Sequence, residues 1–97
     1  MALVTIKLFG MLGAMAGTRD LQLELAEPAH LRDALDALEA RFGPDFRRRI
    51  MRTPRALQTY VRVFVNETEV TDLDTVLQIN GSPTEVSLML LPAAEGG

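Results

Sequence analysis

Two runs near the start of the chain, residues 3–9 and 20–27, alternate hydrophobic with polar positions. A period of two places the hydrophobic side chains on one face of a β-strand. The inward-facing residues of the two runs are Val4, Ile6, Leu8, Leu21, Leu23 and Leu25. Residues 10–17, between the runs, contain three glycines, which favour an irregular connection. The pattern predicts a hairpin with a long, partly apolar loop.

The period becomes helical over residues 31–42. Hydrophobic residues recur there at three- and four-residue spacing: Leu31, Ala34, Leu35, Leu38 and Phe42. This spacing forms one apolar face of an amphipathic helix. Pro28 lies just before the run, and Gly43 and Pro44 follow it, as is typical of the two ends of a helix. We interpret His30 as a helix-start residue without a catalytic role.

Two later runs, residues 60–66 and 85–91, again alternate as strands do. Their inward-facing residues are Val61, Val63, Val65, Val86, Leu88 and Leu90. Asn66 and Glu67 indicate a turn, which leads into a short strand around residues 69–70. Residues 80–83, Asn-Gly-Ser-Pro, indicate a further turn before the last strand.

Two stretches of the second half are less regular. In residues 45–57, Phe46, Ile50 and Met51 favour a short helical turn, which Pro54 would break. The second stretch is interpreted as a packed connecting segment with four apolar residues: Leu73, Val76, Leu77 and Ile79.

The order of predicted elements is ββαβββ with one long helix. Such a chain buries its apolar surface by laying the helix across one face of a mixed sheet. Ubiquitin-like β-grasp domains have this plan, whereas a ferredoxin-like fold needs a second comparable helix before the last strand. The sequence therefore predicts an α+β protein, a β-grasp of four to five strands packed on one main helix. Residues 1–91 would form this domain and residues 92–97 a flexible C-terminal tail.

Composition narrows the chemistry. The 97 residues include no cysteine and one histidine, which removes disulfides and thiolate chemistry and argues against a zinc site. The formal net charge of −3 argues against nonspecific binding to nucleic acid. No apolar run approaches the roughly 20 residues that span a bilayer, and no secretory signal pattern is present. We therefore expect a cytoplasmic chain that binds neither membrane nor metal.

The last residues, Pro92-Ala93-Ala94-Glu95-Gly96-Gly97, offer the one unusual chemical feature. Glycine has no Cβ, so a Gly-Gly end can enter a narrow channel closed to other residues. Six residues beyond Leu91 reach about 20 Å when extended. The tail could thus carry the Gly97 carboxylate into the active site of another protein.

Several segments together resemble the MoaD/ThiS family of ubiquitin-like sulfur carriers. They are Val4–Gly10, Met15–Thr18, the predicted helix Leu31–Phe42, Val63–Asn66, Glu85–Leu88 and the ending Leu91-Pro92…Gly96-Gly97. The likeness covers nearly the whole chain. No internal motif is specific by itself, whereas the ordered set with the terminal di-glycine is.

The resemblance implies a carrier rather than an enzyme. In the family, an E1-like adenylyltransferase uses ATP, with its Mg²⁺, to adenylate the terminal carboxylate, here that of Gly97. Sulfur then replaces AMP, and the resulting thiocarboxylate donates sulfur in an acceptor enzyme. The chain itself would bind no cofactor, and Gly96, Glu95 and Pro92 would thread the tail into the partner.

The same resemblance suggests a docking surface on the sheet face that the helix leaves open. Phe64, Met89 and Leu91 fall on that face if the inward-facing residues are assigned correctly. Exposed apolar side chains of this kind often mark a partner site. The three are therefore predicted to bind the partner proteins.

The identity of the pathway stays open in the sequence. The loop over residues 10–18 favours the small subunit of molybdopterin synthase, a sulfurtransferase of molybdenum-cofactor biosynthesis. The long stretch 43–59 is also compatible with carriers for cysteine synthesis, and thiamine synthesis is a further alternative. A ubiquitin-like modifier that is joined to lysines through Gly97 is the alternative from another class.

One basic cluster lies outside these motifs: Arg47, Arg48, Arg49, Arg52 and Arg55. Runs of charge are usually a solvated face, which is the interpretation we adopt. The functional alternative is contact with an acidic partner or with RNA.

Overall fold

The computed structural model describes residues 1–77 and 84–91. In this part of the chain the elements follow in the order β1 (Ala2–Leu8), α1 (Met11–Ala16), β2 (Asp20–Leu25), α2 (Leu31–Phe42), α3 (Pro44–Ile50), β3 (Met51–Thr53), β4 (Ala56–Leu57), β5 (Val61–Val65), β6 (Thr68–Val70) and β7 (Thr84–Leu90). Five strands form one sheet in the order β2-β1-β7-β5-β6, and β3 pairs with β4 in a separate hairpin.

The five-stranded sheet is mixed. β1 runs antiparallel to β2 and parallel to β7, whereas β5 runs antiparallel to both β7 and β6. The alternating residues of two neighbouring interior strands, β1 and β7, are fully buried on one face, as Val4, Ile6, Val86 and Leu88 show at 0% exposure. The mixed sheet with one main helix confirms the predicted ubiquitin-like β-grasp fold.

Helix α2 supplies the apolar stripe that covers this face. Its buried residues are Leu31, Ala34, Leu35 and Leu38. The helix begins where predicted: the His30 amide donates to the Asp33 carboxylate at 2.8 Å, one half of a capping box. It ends at Gly43, whose amide donates to the Glu39 carbonyl at 2.7 Å. Gly43 has φ +97°, a backbone conformation open mainly to glycine.

The segment predicted as an irregular loop contains a helix, so that prediction was wrong. α1 is fixed by tertiary packing, because Leu12 is 0% exposed and a Cβ on Gly13 would lie 3.2 Å from the Leu8 carbonyl oxygen. Gly17 closes the helix at φ +76°, with its amide donating to the Gly13 carbonyl at 2.9 Å. Burial of Leu12 thus accompanies a helix that contains one glycine, Gly13, which has a poor helix propensity.

The segment after α2 is also more ordered than predicted. Phe46 and Ile50 are buried on α3, as the apolar positions of the predicted helical turn indicated. The chain then forms the β3–β4 hairpin around Pro54, which the sequence pattern did not reveal. Gln58 connects the hairpin to α3, because the backbone amide of Gln58 donates to the Ile50 carbonyl at 2.8 Å.

The remaining connections agree with the pattern where the structure describes them. Asn66 and Glu67 both have positive φ, as a tight two-residue hairpin turn requires, and they join β5 to β6. Leu73 and Leu77 are buried, whereas Val76 is 43% exposed and forms a β-bridge with His30. Ile79, the turn predicted at 80–83 and the tail 92–97 lie outside the described residues.

Candidate docking face and tail exit

The last described residue, Leu91, leaves the sheet from its central strand. Its amide donates to the Tyr60 carbonyl at 2.7 Å on one side of β7. On the other side the Phe9 amide donates to the Leu88 carbonyl at 3.0 Å. Hydrogen bonds from both neighbouring strands therefore fix the point from which the six following residues start.

The predicted docking residues lie where the strand alternation placed them. Phe64 on β5 is paired with Ser87, and Met89 on β7 is paired with Arg62. Phe64 and Met89 alternate with the buried residues of their strands on the face opposite α2, but they are half-buried and not exposed as predicted, because they pack within the sheet surface. Leu91 is 38% exposed at the end of β7. Nothing in the geometry tests whether they bind a partner, so that role stays a prediction.

Two ion pairs lie on the same open face. Lys7 Nζ is 3.8 Å from Glu85 Oε2, and Arg62 Nε is 3.3 Å from Glu69 Oε2. All four side chains are more than a third exposed. Exposed pairs of this kind contribute about 0–1 kcal/mol to stability. Their charges can therefore turn towards a partner at small cost.

Sequence reasoning missed a group of exposed apolar side chains next to the predicted three. Phe9 continues the open face of β1 and is 45% exposed. Met11 and Met15, on α1, are 52% and 39% exposed. Their spacing of four residues around the buried Leu12 was a helical signal, but it was too short to recognise among the glycines.

The arginine cluster divides into paired and unpaired members. Arg47 Nη1 donates to Asp36 Oδ1 at 2.6 Å and to Glu39 Oε1 at 3.1 Å, joining α3 to α2. The hydrogen bond to Asp36 is the main cause that raises the pKa of Arg47 above its ordinary value. Arg48 pairs with Asp45 on its own helix. Part of the cluster is therefore a structural clip.

The other three arginines of the cluster, Arg49, Arg52 and Arg55, are exposed. Within residues 1–77 and 84–91 they form no ion pair. Their arrangement agrees with a solvated face, as the sequence suggested.

The residues predicted to carry the chemistry are Gly97, Gly96, Glu95 and Pro92, and they lie outside the described residues. Among the residues that are described, no group of three or more His, Asp or Glu side chains is arranged to hold a metal ion. In the same residues no helix is long and apolar enough to cross a membrane. What the structure contributes to the site is therefore the root of the tail and the surface around it.

Sequence comparison alone does not place the chain. No protein-family model matches it, and no curated protein sequence matches it.

Comparison with solved structures does find neighbours. The small archaeal modifier protein 1 of H. volcanii is 25% identical, with a TM-score of 0.78 over 94% of this chain and 99% of that one. A putative molybdopterin converting factor subunit 1 from Pyrococcus furiosus is 22% identical, with a TM-score of 0.76 over 94% of this chain and 99% of that one. CysO of Mycobacterium tuberculosis is 20% identical, with a TM-score of 0.71 over 91% of this chain and 98% of that one.

These neighbours are MoaD/ThiS-like proteins with the ubiquitin fold, as the resemblance in the sequence predicted. They cover almost the whole chain, so that the common fold extends from β1 to β7. The two neighbours below 25% identity support the fold alone.

Proposed function

We propose that this protein is a sulfur carrier whose reactive group is the C-terminal carboxylate of Gly97. The observation that carries the proposal is the position of the tail root. In a β-grasp fold shared with carrier and modifier proteins, the chain leaves the central strand β7 six residues before Gly97. The exit is bordered by exposed apolar side chains, and six residues, when extended, would span about 20 Å from it.

The chemistry needs no catalytic side chain from the carrier. An E1-like enzyme with ATP and Mg²⁺ lets the Gly97 carboxylate attack the α-phosphate, and pyrophosphate leaves. Sulfide, as HS⁻, then attacks the acyl carbon of the adenylate, a C–S bond forms and AMP leaves, which gives the thiocarboxylate. In the acceptor enzyme the thiocarboxylate sulfur attacks an electrophilic carbon of the substrate, and water cleaves the acyl C–S bond, so that the sulfur stays on the substrate and the Gly97 carboxylate is restored. The protein is thus a co-substrate, or the small subunit of a sulfurtransferase.

Two kinds of partner protein follow from this scheme. The first is the E1-like adenylyltransferase, and the second is the sulfur acceptor. The large subunit of molybdopterin synthase is our first choice of acceptor, because one neighbour is a putative molybdopterin converting factor subunit. An enzyme of cysteine synthesis is the alternative, because the stretch 43–59 is compatible with the carriers that serve that pathway. CysO of Mycobacterium tuberculosis is another neighbour, and a solved BexX/CysO complex of Amycolatopsis orientalis is a further one. Thiamine synthesis is a further alternative.

A ubiquitin-like modifier is the second candidate function. It is favoured by the likeness to a small archaeal modifier protein. A modifier is activated as the same adenylate, but its Gly97 acyl group is then joined to a lysine amine. No sulfur is transferred. Both functions thus require activation of Gly97 and differ in the second step.

Deletion of Gly97 tests the shared first step. We expect host extract, cleared of small molecules and supplied with ATP and labelled pyrophosphate, to exchange label into ATP when the intact protein is added. Protein lacking Gly97 should give only the background exchange, because the shortened tail places its carboxylate about one residue, or 3.5 Å, short of the phosphate. Leu3→Ala, which alters an exposed residue distant from the tail, is the control. Full exchange with the shortened protein would refute the role of Gly97.

The intact mass of protein isolated from its host tests the second step. A carrier should contain a fraction in which one sulfur replaces one oxygen, and this fraction should be absent after deletion of Gly97. Conjugates linked to lysine, without any thiocarboxylate fraction, would favour the modifier instead. The same mass also shows whether Gly97 ends the mature protein, which both functions require.

A further inference from the structure

Exposed apolar side chains are concentrated at one end of the sheet. Within residues 1–77 and 84–91, eight large hydrophobic residues are exposed. Five of them lie where β7 ends, and we call them the end surface: Phe9, Met11, Met15, Tyr60 and Leu91. Of the other three, Met1 and Leu3 lie at the start of β1, and Val76 is bridged to His30 just before α2.

The two halves of the end surface flank the root of the tail. Tyr60 accepts the hydrogen bond of the Leu91 amide on the β5 side. Phe9 follows β1 on the other side, and helix α1 begins two residues later. Because β1 and β7 are parallel and Leu8 is paired with Leu88, α1 starts at the end of the sheet from which the tail leaves.

Packing holds α1 in this position. The helix contacts both β7 and α3, and Leu12 is its fully buried anchor. A helix of six residues would not be stable in isolation, so its orientation is set by these contacts. Met11 and Met15, four residues apart, are consequently presented on the outer side of a fixed helix.

The two methionines of α1 keep a large part of their apolar surface in contact with water. Met11 is 52% and Met15 is 39% exposed, whereas the buried anchor of the helix is Leu12. Methionine surfaces adapt to a partner because the side chain is unbranched and polarisable. Such a concentration of apolar side chains is typical of a binding site.

The length of the tail indicates which partner protein covers the end surface. An acyl-adenylate is hydrolysed in water, so the protein that makes it has to enclose Gly97 in a pocket that excludes solvent. Six residues reach only about 20 Å, and a deep pocket uses most of that length. The mouth of the pocket must then approach Leu91, so that it meets α1 and Tyr60. A thiocarboxylate resists hydrolysis better, and its acceptor is under less of this constraint.

We propose that the end surface docks against an apolar rim around the adenylation pocket of the activating enzyme, with Met11 and Met15 as its principal contacts. This proposal rests on the function proposed above, since it concerns the protein that adenylates Gly97. The earlier prediction placed the partner contacts on the open face of the sheet. The present proposal assigns helix α1, at the end of the sheet, as a second contact region.

The double variant Met11→Gln/Met15→Gln tests the proposal. Glutamine is about as good a helix former as methionine, so the change removes apolar contact without penalising α1. We expect the concentration of carrier at half-maximal ATP–pyrophosphate exchange to rise by about tenfold or more, as is usual for loss of a central contact. The matched control is Leu3→Gln/Val76→Gln, which alters two residues of similar exposure elsewhere and should leave that concentration within about twofold.

A second variant separates binding from folding. Met11→Leu/Met15→Leu keeps the apolar surface and should retain activity close to that of the unaltered protein. Denaturant unfolding of all three double variants should give similar midpoints. Loss of activity in the leucine variant as well would show that the surface does not act through simple apolar contact, and would overturn the proposal.

The remaining outcomes distinguish the two proposals. If intact protein and the glutamine variant support equal exchange, the end surface is not the docking site, while the activation of Gly97 stands. If exchange is normal but the variant no longer delivers sulfur, the surface belongs to the acceptor, and the present proposal is overturned. If intact protein supports no exchange at all, both proposals fail together.

Discussion

Successive residues of β7 face two different environments. Val86 and Leu88 point towards α2 and are 0% exposed. Ser87 and Met89, one position further along in each case, are half-buried on the open face. The same strand therefore supplies the core on one side and the predicted partner surface on the other.

The difference separates two kinds of constraint on the sequence. On the inner face, side chains must fill the space beneath α2, because close-packed interiors tolerate little loss of volume. On the outer face the corresponding side chains are half-buried or exposed, so that packing constrains them less and they can suit a partner. Alternation in a strand keeps the two constraints independent, and substitutions on the two faces should have different consequences.

The largest effect on stability is expected from Leu88→Ala. Removing a fully buried leucine leaves a cavity and lowers the free energy of unfolding by about 2–5 kcal/mol. The loss is a large fraction of the roughly 5–15 kcal/mol that holds a domain of ordinary stability. Denaturant unfolding followed by circular dichroism measures it.

The neighbouring residue provides the control for that experiment. Met89→Ala removes a side chain of similar size from the open face and should cost less, about 1–2 kcal/mol, since part of that side chain is in contact with water in the folded protein. Equal losses for Leu88→Ala and Met89→Ala would contradict the assignment of the two faces.

The comparison is reversed for binding, where Phe64→Ala should have the larger effect. Truncation of an aromatic contact at the centre of an interface commonly costs more than 1 kcal/mol, and about 1.4 kcal/mol is a tenfold loss of affinity. We therefore expect about a tenfold higher carrier concentration at half-maximal ATP–pyrophosphate exchange. The unfolding free energy should fall by about 1–2 kcal/mol, less than after Leu88→Ala, because Phe64 is not fully buried.

Leu3→Ala, on the open face near the other end of β1, is the matched control for Phe64→Ala. It should leave the exchange unchanged. If both variants are fully active, the open face does not bind the activating enzyme, whatever the effect of changes on α1.

The sequence predicted this division of faces because a strand repeats with a period of two. Val61, Val63 and Val65 are buried as the pattern required, and Phe64 falls between them on the other side. The same regularity identified α2, where an apolar stripe, a capping residue and a stop at Gly43 agree. Periodic signals of this length exceed the noise of individual residues.

Short elements held by distant contacts could not be predicted in this way. α1 has one buried leucine among three glycines nearby, and its partners lie on β7 and α3, far away in sequence. The β3 and β4 strands contain three and two residues, too few to show alternation. For the same reason the sequence did not reveal Met11 and Met15 as part of the candidate site, since their common exposed side exists only if α1 is a helix.

A smaller effect on stability is expected from Arg47→Met, on the side of the sheet that α2 covers. The guanidinium joins α3 to Asp36 and Glu39 of α2, and the side chain is 22% exposed. Loss of these charged hydrogen bonds should lower the unfolding free energy by about 1 kcal/mol, and by less at high salt. Since the pKa of Arg47 is raised from a value already far above neutrality, its contribution should not vary around neutral pH. Pyrophosphate exchange should be unaffected.

Arg49→Met is the control for this clip. Arg49 is exposed on the same helix and has no ion-pair partner within the described part of the chain. Its replacement should leave the unfolding free energy unchanged within about 0.5 kcal/mol. A loss equal to that of Arg47→Met would mean that the general charge of α3 matters, and not the contacts with α2.

The smallest effect is expected at the start of α2. The Asp33 carboxylate accepts the His30 amide at 2.8 Å and also lies in the first turn, where a negative charge favours the helix dipole. Asp33→Ala removes both contributions and should lower the unfolding free energy by about 0.5–1 kcal/mol.

Asp33→Asn keeps an acceptor for the His30 amide and loses the charge alone, so it should retain about half of that stability. If the two variants are equally destabilised, the charge accounts for the whole effect; if asparagine is neutral, the hydrogen bond does. Either variant should support the same ATP–pyrophosphate exchange as the unaltered protein, because α2 lies on the side of the sheet opposite to Phe64 and Met89.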